Sequence, residues 1–525
     1  MASKGLPPHV DALLRPAAYP FAVGAIELVQ THVSYVFLTE ARVFKLKKAV
    51  DLGFLDFTTL EKRRHFCEEE VRLNQRACAG VYRGVWPVTK QDGAYRLGGE
   101  GEIVDYAVEM RRLPAAGMMD GLLARDAVDL RMVGRVAAKL ADLHGRTERG
   151  PAIQGTGGSE TLIRNWRAAL DDMRRFVGRT LGERRWQRVE AYATSFLERE
   201  SALLQHREDE GWIRACHGDL RSDAVCFDAE LADGVCFFDC IEFNDAFRYS
   251  DTGLDAAFLA MDLDYRGRQA LSDAFVGLYA AAIGDRELPL LLDFYKCYRA
   301  TVRGRVESML AEDAEVTAGQ RSAARKRAQA YFRLAESYTQ RRRRAGVVLV
   351  MGASGSGKSV LAGAVAARLG AVILSTDVRR RELFEMRGRG EAVDGGIYTP
   401  EAREQVYGEL AQEAAAALGA ARAVVLDGTY IARRQREPIL RLARERGQKF
   451  LAVECSAPDA VVAERQRGRR DDGWSASEGR WEVYLAQKAR YEPPDETAAA
   501  ERLTVDTTLP LEAQIVAVLA ALDRR

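Results

Sequence analysis

Eight consecutive residues, Gly352, Ala353, Ser354, Gly355, Ser356, Gly357, Lys358 and Ser359, constrain this chain more than any other feature. They complete the pattern G-x-x-x-x-G-K-S and stand between the apolar run GVVLVMG and the helix-forming VLAGAVAARLG, the strand-then-helix context the pattern requires. Glycines let successive backbone N–H groups curl around a β-phosphate, and the helix start adds the positive end of its dipole. Lys358 reaches the β- and γ-phosphates, and Ser359 is placed to ligate Mg²⁺. The segment predicts a site for ATP and Mg²⁺.

The surrounding sequence repeats one arrangement. GVVLVMG, AVILSTD, AVVLDG and FLAVEC read as short buried strands separated by helix-forming stretches such as PEAREQVYGELAQEAAAALG. Strands alternating with helices predict a parallel sheet with flanking helices. The strand VVLD ends at Asp427, and Gly428 and Thr429 follow. A glutamate that would activate water is therefore missing there, and transfer to an acceptor is favoured over hydrolysis.

Two further features of this region suit a phosphotransferase. In STDVRR, Asp377 follows a strand at the ligand edge of the sheet, where it could accept the proton of an attacking hydroxyl while Arg380 orients the acceptor. The competing reading is a helix-capping aspartate with a solvated arginine. In ERQRGRRDD, Arg465, Arg467, Arg469 and Arg470 lie where a closing lid would place positive charge against a transferred phosphoryl group. A solvated helix face is the alternative.

These residues resemble the P-loop kinases described as AAA-type ATP-binding, related to zeta-toxin-like, polynucleotide-kinase-like and gluconate-kinase-like enzymes. The resemblance runs from about Gly346 to Arg525 and includes STDVRRREL, GIYTPEAREQVYGEL, VVLDGTYIARRQRE and WEVYLAQKARYEPP. It implies that Asp377 and Arg380 face the acceptor, that Asp427 lies near Mg²⁺, that Arg433 and Arg436 help form the site, and that the arginines from Arg465 belong to the lid.

The chain before residue 340 has a different character. HVSYVFLTE and RVFKLKKAV read as strands joined near Thr39 to Ala41, and a long polar helix is predicted from about Leu60 to Gln75. From about Gly117 to Arg299 the spacing is mostly helical, interrupted by a strand-like stretch from Ala215 to Phe243. A sheet-rich small lobe followed by a helical large lobe is the expectation. Within the interruption, Cys216-His217-Gly218-Asp219 precedes a hairpin whose return strand ends at Asp239, so both carboxylates come to one end. Phosphoryl transfer uses such a pair: one positions a hydroxyl and takes its proton, and the other holds Mg²⁺.

From about Leu28 to Arg305 the sequence resembles the aminoglycoside phosphotransferase family, whose members are kinase-like. The phrase YVFLTEARVFKLKKAVDLGFLDFTTLEKRRHFCEEEVRLNQR is similar to the small lobe of bacterial proteins that fuse this module to a P-loop kinase. The resemblance implies a phosphate-holding Lys45, with Lys47 as the alternative, and Glu70 as its partner, with Glu69 as the alternative. It implies a hinge at Glu109 to Arg111 and supporting roles for Asp251 and Asp255. The family pattern expects a metal-binding asparagine five residues after Asp219. Ala224 stands there instead, and Asp223 is the adjacent candidate.

Composition bounds the rest. A chain of 525 residues exceeds one core, and the motifs predict a bilobal protein-kinase-like domain over 1–340, with lobes of about 20–112 and 113–340, then a P-loop domain over 345–525. With 77 basic against 76 acidic side chains, no bulk nucleic-acid binding is expected. The arginines concentrate locally, as at Arg341 to Arg344 and in the proposed lid. No apolar run reaches the roughly 18 residues of a membrane span, and the first residues lack a secretory signal, so a cytoplasmic protein is expected. The eight cysteines are dispersed and are read as buried free thiols. The functional expectation is an ATP-dependent kinase acting on a hydroxyl of a small polar or nucleotide-like acceptor. The alternative is a ligand-sensing pseudokinase module that regulates a P-loop ATPase or kinase.

Overall fold

A computed structural model of the chain describes residues 6–313, 316–340, 346–384, 399–420, 422–472 and 481–523. Two units emerge, each drawing on separated segments. Residues 1–128, 146–162 and 204–255 make the first, and residues 129–145, 163–203 and 256–525 make the second.

Alternation along short strands builds the first unit's main sheet. β1 (Glu27–Gln30), β2 (Ser34–Leu38), β3 (Arg42–Lys47), β4 (Tyr82–Gln91), β5 (Ala94–Leu97) and β6 (Glu102–Arg111) are antiparallel in the order β1-β2-β3-β6-β4-β5. The period of two sends Phe44 and Leu46 of β3 into an apolar cluster with Phe37, Val88, Leu97 and Ala107. Lys45 and Lys47 consequently share the opposite face.

The polar helix expected between the strands spans Leu60–Gln75, with Thr59 accepting a hydrogen bond from the Lys62 N–H at its start. Its buried residues include Arg63, Cys67, Glu70 and Asn74, at helical spacing. Three of these four are polar, so the helix buries an ion-pairing stripe where most helices bury an apolar one. Further along, β7 (Ile213–Ala215) pairs with β10 (Tyr249–Asp251), and β8 (Val225–Phe227) pairs with β9 (Val235–Phe237).

The second unit contains the parallel sheet. β11 (Val347–Met351), β12 (Val372–Ser375), β13 (Val424–Asp427), β14 (Phe450–Ser456) and β15 (Arg502–Asp506) lie in the order β12-β13-β11-β14-β15. The four strands read from sequence are all present. The fifth, β15, was missed because Arg-Leu-Thr-Val-Asp is short and half polar, as suits an edge.

Helix Lys358–Leu369 is packed on one side by helix Gln269–Ile283, at a crossing where a Cβ on Gly363 would lie 2.7 Å from Gly277 Cα. Only glycine permits that approach. Arg368 at the end of the same helix donates to Asp273 at 2.6 Å and to Glu512 at 2.8 Å. Ala274 joins Val348, Val350, Leu361 and Val365 in the unit's main apolar cluster.

One expectation about cysteine is corrected. Cys78 and Cys236 form a disulfide with a Cα–Cα separation of 4.9 Å, and the other six cysteines are buried thiols. The partners are 158 residues apart, and only the folding of β9 beside the segment after Gln75 brings them together. Among the described residues no helix is long and apolar enough to cross a membrane.

Candidate functional site

β11 runs directly into the glycine-rich loop. Gly355 and Gly357 take φ values of 88° and 90°, a left-handed conformation that side chains resist. Helix Lys358–Leu369 begins at that turn, so its first N–H groups face the loop. Lys358 is 6% exposed, and no ion pair engages its ammonium among the described residues. Ser356 Oγ is buried with no hydrogen-bond partner among them.

Asp427, at the end of β13, is also buried. Ser359 Oγ lies 3.3 Å from its Oδ1, and Ser375 Oγ donates to its Oδ2 at 3.1 Å. Burial pushes this carboxyl above its ordinary range; Asp377 adds to the shift, while Lys358 and the two hydroxyls oppose it. A buried ammonium, an orphaned hydroxyl and a carboxylate beside Ser359 fit a magnesium-bound triphosphate. Gly352, Ala353, Ser354, Gly355, Ser356, Gly357 and Lys358 would hold the phosphates, with Ser359 and Asp427 toward the metal.

On the acceptor side, Asp377 lies in the first turn of helix Thr376–Phe384, and Arg380 donates to its Oδ1 at 2.8 Å. After β13, the Tyr407 and Thr429 hydroxyls are 2.9 Å apart, and Tyr407 meets buried Tyr430 edge-on at 4.8 Å. Tyr430 holds φ 42°, and its hydroxyl is buried without a partner among the described residues. A Cβ at Gly428 would lie 2.7 Å from both Thr376 Cγ2 and Tyr430 Cε2, so a water-activating glutamate has no room there. Arg433 is exposed and pairs with Glu437 at 2.6 Å. Arg436 is buried, paired with Glu496, and donates to the Tyr430 carbonyl at 2.9 Å, so it fixes the loop that carries Tyr430.

Of the expected lid arginines, Arg467 is exposed on its helix and donates to the Ala463 carbonyl at 3.4 Å, and Arg465 is the one set beside the phosphate loop. Arg465 donates to Thr507 Oγ1 at 2.9 Å and to the Thr507 carbonyl at 2.6 Å, and Thr507 in turn donates to the Ser356 carbonyl at 2.6 Å. The side chains of Arg469 and Arg470 lie outside the described residues. Gln466 and Gln487 bond the Ser354 carbonyl and N–H, at 3.1 and 2.8 Å. Thr507, Gln466 and Gln487 were not singled out from the sequence. They sit more than 100 residues from the loop they brace; Gln466 and Gln487 lie within ERQRGRRDD and WEVYLAQKARYEPP, where neither glutamine stood out, and Thr507 lies outside every quoted motif.

The first unit holds a second constellation. Lys45 Nζ is 2.8 Å from Glu70 Oε1 and 2.6 Å from Asp239 Oδ1. Lys47 is buried, 2.7 Å from Glu70 Oε2 and paired also with Glu242. Glu69 instead pairs with Arg72 at 2.7 Å on the helix exterior. Lys45 is thus the partly exposed lysine, Lys47 the buried one, and Glu70 their common partner. Lys45 holds the Asp239 carboxyl down at about 2. Burial alone would raise Glu70, but Lys45 and Lys47 outweigh it and the carboxyl ends below its usual range.

The Asp219 loop is pinned beside Asp239. The His217 and Gly218 N–H groups donate to the Asp255 carboxylate at 2.9 and 2.8 Å, His217 Nε2 is 3.0 Å from the Phe238 carbonyl, and the Ile241 N–H donates to the His217 carbonyl at 3.0 Å. Asp251 is bound by buried Arg207 at 2.6 Å. Both supporting aspartates are engaged by backbone or arginine.

Comparison with known proteins covers both units. The AAA domain family model matches residues 347–494. The Mycobacterium tuberculosis protein Rv2004c is 34% identical over 446 residues, which is 84% of this chain and 85% of that one. An adenylate kinase of Micrococcus luteus is 32% identical over 149 residues, 26% of this chain and 71% of the enzyme. Among solved structures, a choline/ethanolamine kinase family protein from Mesorhizobium loti is 14% identical and covers 60% of this chain and 92% of its own, with a TM-score of 0.34.

Proposed function

This chain belongs to the family of the mycobacterial protein Rv2004c, and from that premise and the loop geometry we propose that it is an ATP-dependent kinase whose P-loop site phosphorylates a hydroxyl of a small polar or nucleotide-like acceptor. The observation that carries the reading is the buried Lys358 ammonium, without an ion-pair partner among the described residues, at a loop whose Ser356 hydroxyl is orphaned. Both groups await an anion. The AAA domain match over residues 347–494 supports a nucleotide site, and similarity to an enzyme named adenylate kinase supports a nucleotide-like acceptor.

The chemistry follows from the placement. Loop N–H groups and Lys358 take the β- and γ-phosphate oxygens, and Arg465 adds charge at the side that Thr507 closes. Mg²⁺ bound near Ser359 and Asp427 would neutralise developing charge on the phosphates. An acceptor hydroxyl beside Asp377 attacks the γ-phosphorus, the bond to the bridging oxygen breaks, ADP leaves, and the hydroxyl proton passes to the Asp377 carboxylate. Arg380 holds the Asp377 carboxylate in place, and a loose transition state asks that carboxylate mainly to orient the hydroxyl. The closed space at Gly428 supports transfer over hydrolysis.

The test is incubation of the full chain with γ-labelled ATP and a library of polar metabolites and nucleotides, read by mass spectrometry. A phosphorylated acceptor that disappears with Lys358→Ala is expected. Label released only as inorganic phosphate, whatever the acceptor, counts against the reading.

A further inference from the structure

Helix Thr376–Phe384 carries three consecutive arginines that reach three different partners. Arg380 turns to Asp377. Arg381 donates to the Ala281 carbonyl at 3.1 Å, in the last turn of helix Gln269–Ile283. Arg379 crosses to helix Pro400–Gly419, where it donates to Glu409 Oε2 at 2.7 Å and lies 3.3 Å from Glu413 Oε1, and it also pairs with Glu382 at 3.1 Å. At about 3.6 residues per turn, Arg379 and Glu382 fall on the face of their helix opposite Asp377.

A fourth arginine joins this arrangement from a point in the chain well ahead of the P-loop. Arg286 lies in the connection between helix Gln269–Ile283 and helix Leu288–Glu312. Its Nη1 is 2.6 Å from Glu413 Oε2, its Nη2 pairs with Glu382, and its carbonyl accepts from the Ile373 N–H of β12 at 3.3 Å. The connection is itself held: Asp285 Oδ1 accepts from the Glu287 and Leu288 N–H groups at 3.1 and 2.9 Å. One planar guanidinium therefore bridges the helix that bears Asp377 and the helix that bears Tyr407. The five side chains of the cluster are 23% to 38% exposed, and pairs at that exposure add little to overall stability. What a fork engaged on two helices fixes is their spacing.

We propose that Arg286 is a positioning residue for the P-loop reaction: by bridging Glu382 and Glu413 it sets the separation of helices Thr376–Phe384 and Pro400–Gly419, and so holds Asp377 where it can orient the acceptor hydroxyl. The proposal rests on the transfer proposed above. It makes the acceptor side depend on a residue outside the segment that carries the phosphate loop, acting through the helix from behind.

The test compares full-length variants with ATP and the acceptor identified from the library. Arg286→Ala should lower kcat/KM for the acceptor roughly ten- to hundredfold, the loss that a misplacement of about an ångström brings, with the Kd for ATP and the melting temperature close to the parent's. Glu413→Gln cuts the same bridge from its other end and should act in the same direction. Arg286→Lys keeps the charge without the fork and should recover only part of the loss. Arg434→Ala removes the exposed pair with Glu404 of helix Pro400–Gly419 and should change none of these quantities. Amide hydrogen exchange gives a reading that needs no acceptor: in Arg286→Ala, residues 376–384 should exchange faster while residues 358–369 keep the parent's rate. Parent kinetics in Arg286→Ala, ATP binding lost together with transfer, or exchange that quickens in both segments or in neither would each overturn the proposal. A parent chain that phosphorylates no acceptor would sink the kinase reading alone, and the exchange comparison then decides whether Arg286 holds the helix.

Discussion

Ser359 Oγ stands 3.3 Å from Asp427 Oδ1, joining the first turn of the P-loop helix to the end of a neighbouring parallel strand 68 residues later. The contact brings together a hydroxyl and a carboxylate that no local motif couples. It also leaves a carboxyl group buried at the foot of the phosphate loop, and that has a measurable consequence.

Because burial raises the folded-state carboxyl of Asp427 above its unfolded value, the folded protein holds that proton more tightly. Its ionisation therefore costs stability as pH rises from the unfolded carboxyl range through the raised value. Asp427→Asn should melt higher than the parent at pH 7, by roughly 2–4 °C per kcal/mol relieved. The difference should shrink as pH falls toward the unfolded carboxyl range, and Mg²⁺-dependent nucleotide binding should be lost. A lower melting temperature at pH 7 would contradict the account.

Gly363→Ala places a methyl 2.7 Å from the Gly277 backbone, where neither helix can give way cheaply. Overpacking of this kind costs about 1–3 kcal/mol. Gly408→Ala, in helix Pro400–Gly419 with nothing within 4 Å of the new methyl, should instead stabilise by about 0.5–1 kcal/mol. Thermal melts of the two variants should move in opposite directions.

Lys47 neutralises two buried carboxylates, Glu70 and Glu242. Lys47→Met strands Glu242 and leaves Glu70 to Lys45 alone, and breaking a buried pair from one side costs about 3–5 kcal/mol. Arg433→Ala removes a pair whose side chains are 60% and 50% exposed and should cost less than about 1 kcal/mol. Urea denaturation distinguishes the two, and equal effects would show that the buried network is not holding the first unit together.

Alkylation counts the thiols. Denatured, unreduced protein should take up six alkyl groups on its eight cysteines, and eight after reduction, with the protected pair mapping to Cys78 and Cys236. Eight before reduction would contradict the linkage.

The parallel sheet and the P-loop were legible because each strand is a short buried run bounded by glycine or a helix, and because the phosphate pattern is local in sequence. Helix Leu60–Gln75 was legible for its length and polarity, yet its buried stripe of Arg63, Glu70 and Asn74 was not, since partners on β3, β6 and the segment after β9 decide it. Sequence left Lys45 against Lys47 and Glu69 against Glu70 open. Alternation puts both lysines on one face, and only the distances rank them. Arg465 was found as one of several arginines, whereas its anchor Thr507 was invisible because a threonine after an edge strand carries no pattern.

Phosphoryl transfer itself remains the most direct measure of the central claim. Full-length protein, its Lys358→Ala variant and its Asp239→Asn variant are supplied with γ-labelled ATP, Mg²⁺ and the acceptor identified from the library, and labelled product is quantified against released phosphate. The account predicts acceptor-bound label in the parent and in Asp239→Asn, and none in Lys358→Ala. Label transferred equally by Lys358→Ala, or lost only in Asp239→Asn, would contradict the assignment of the transfer to the P-loop.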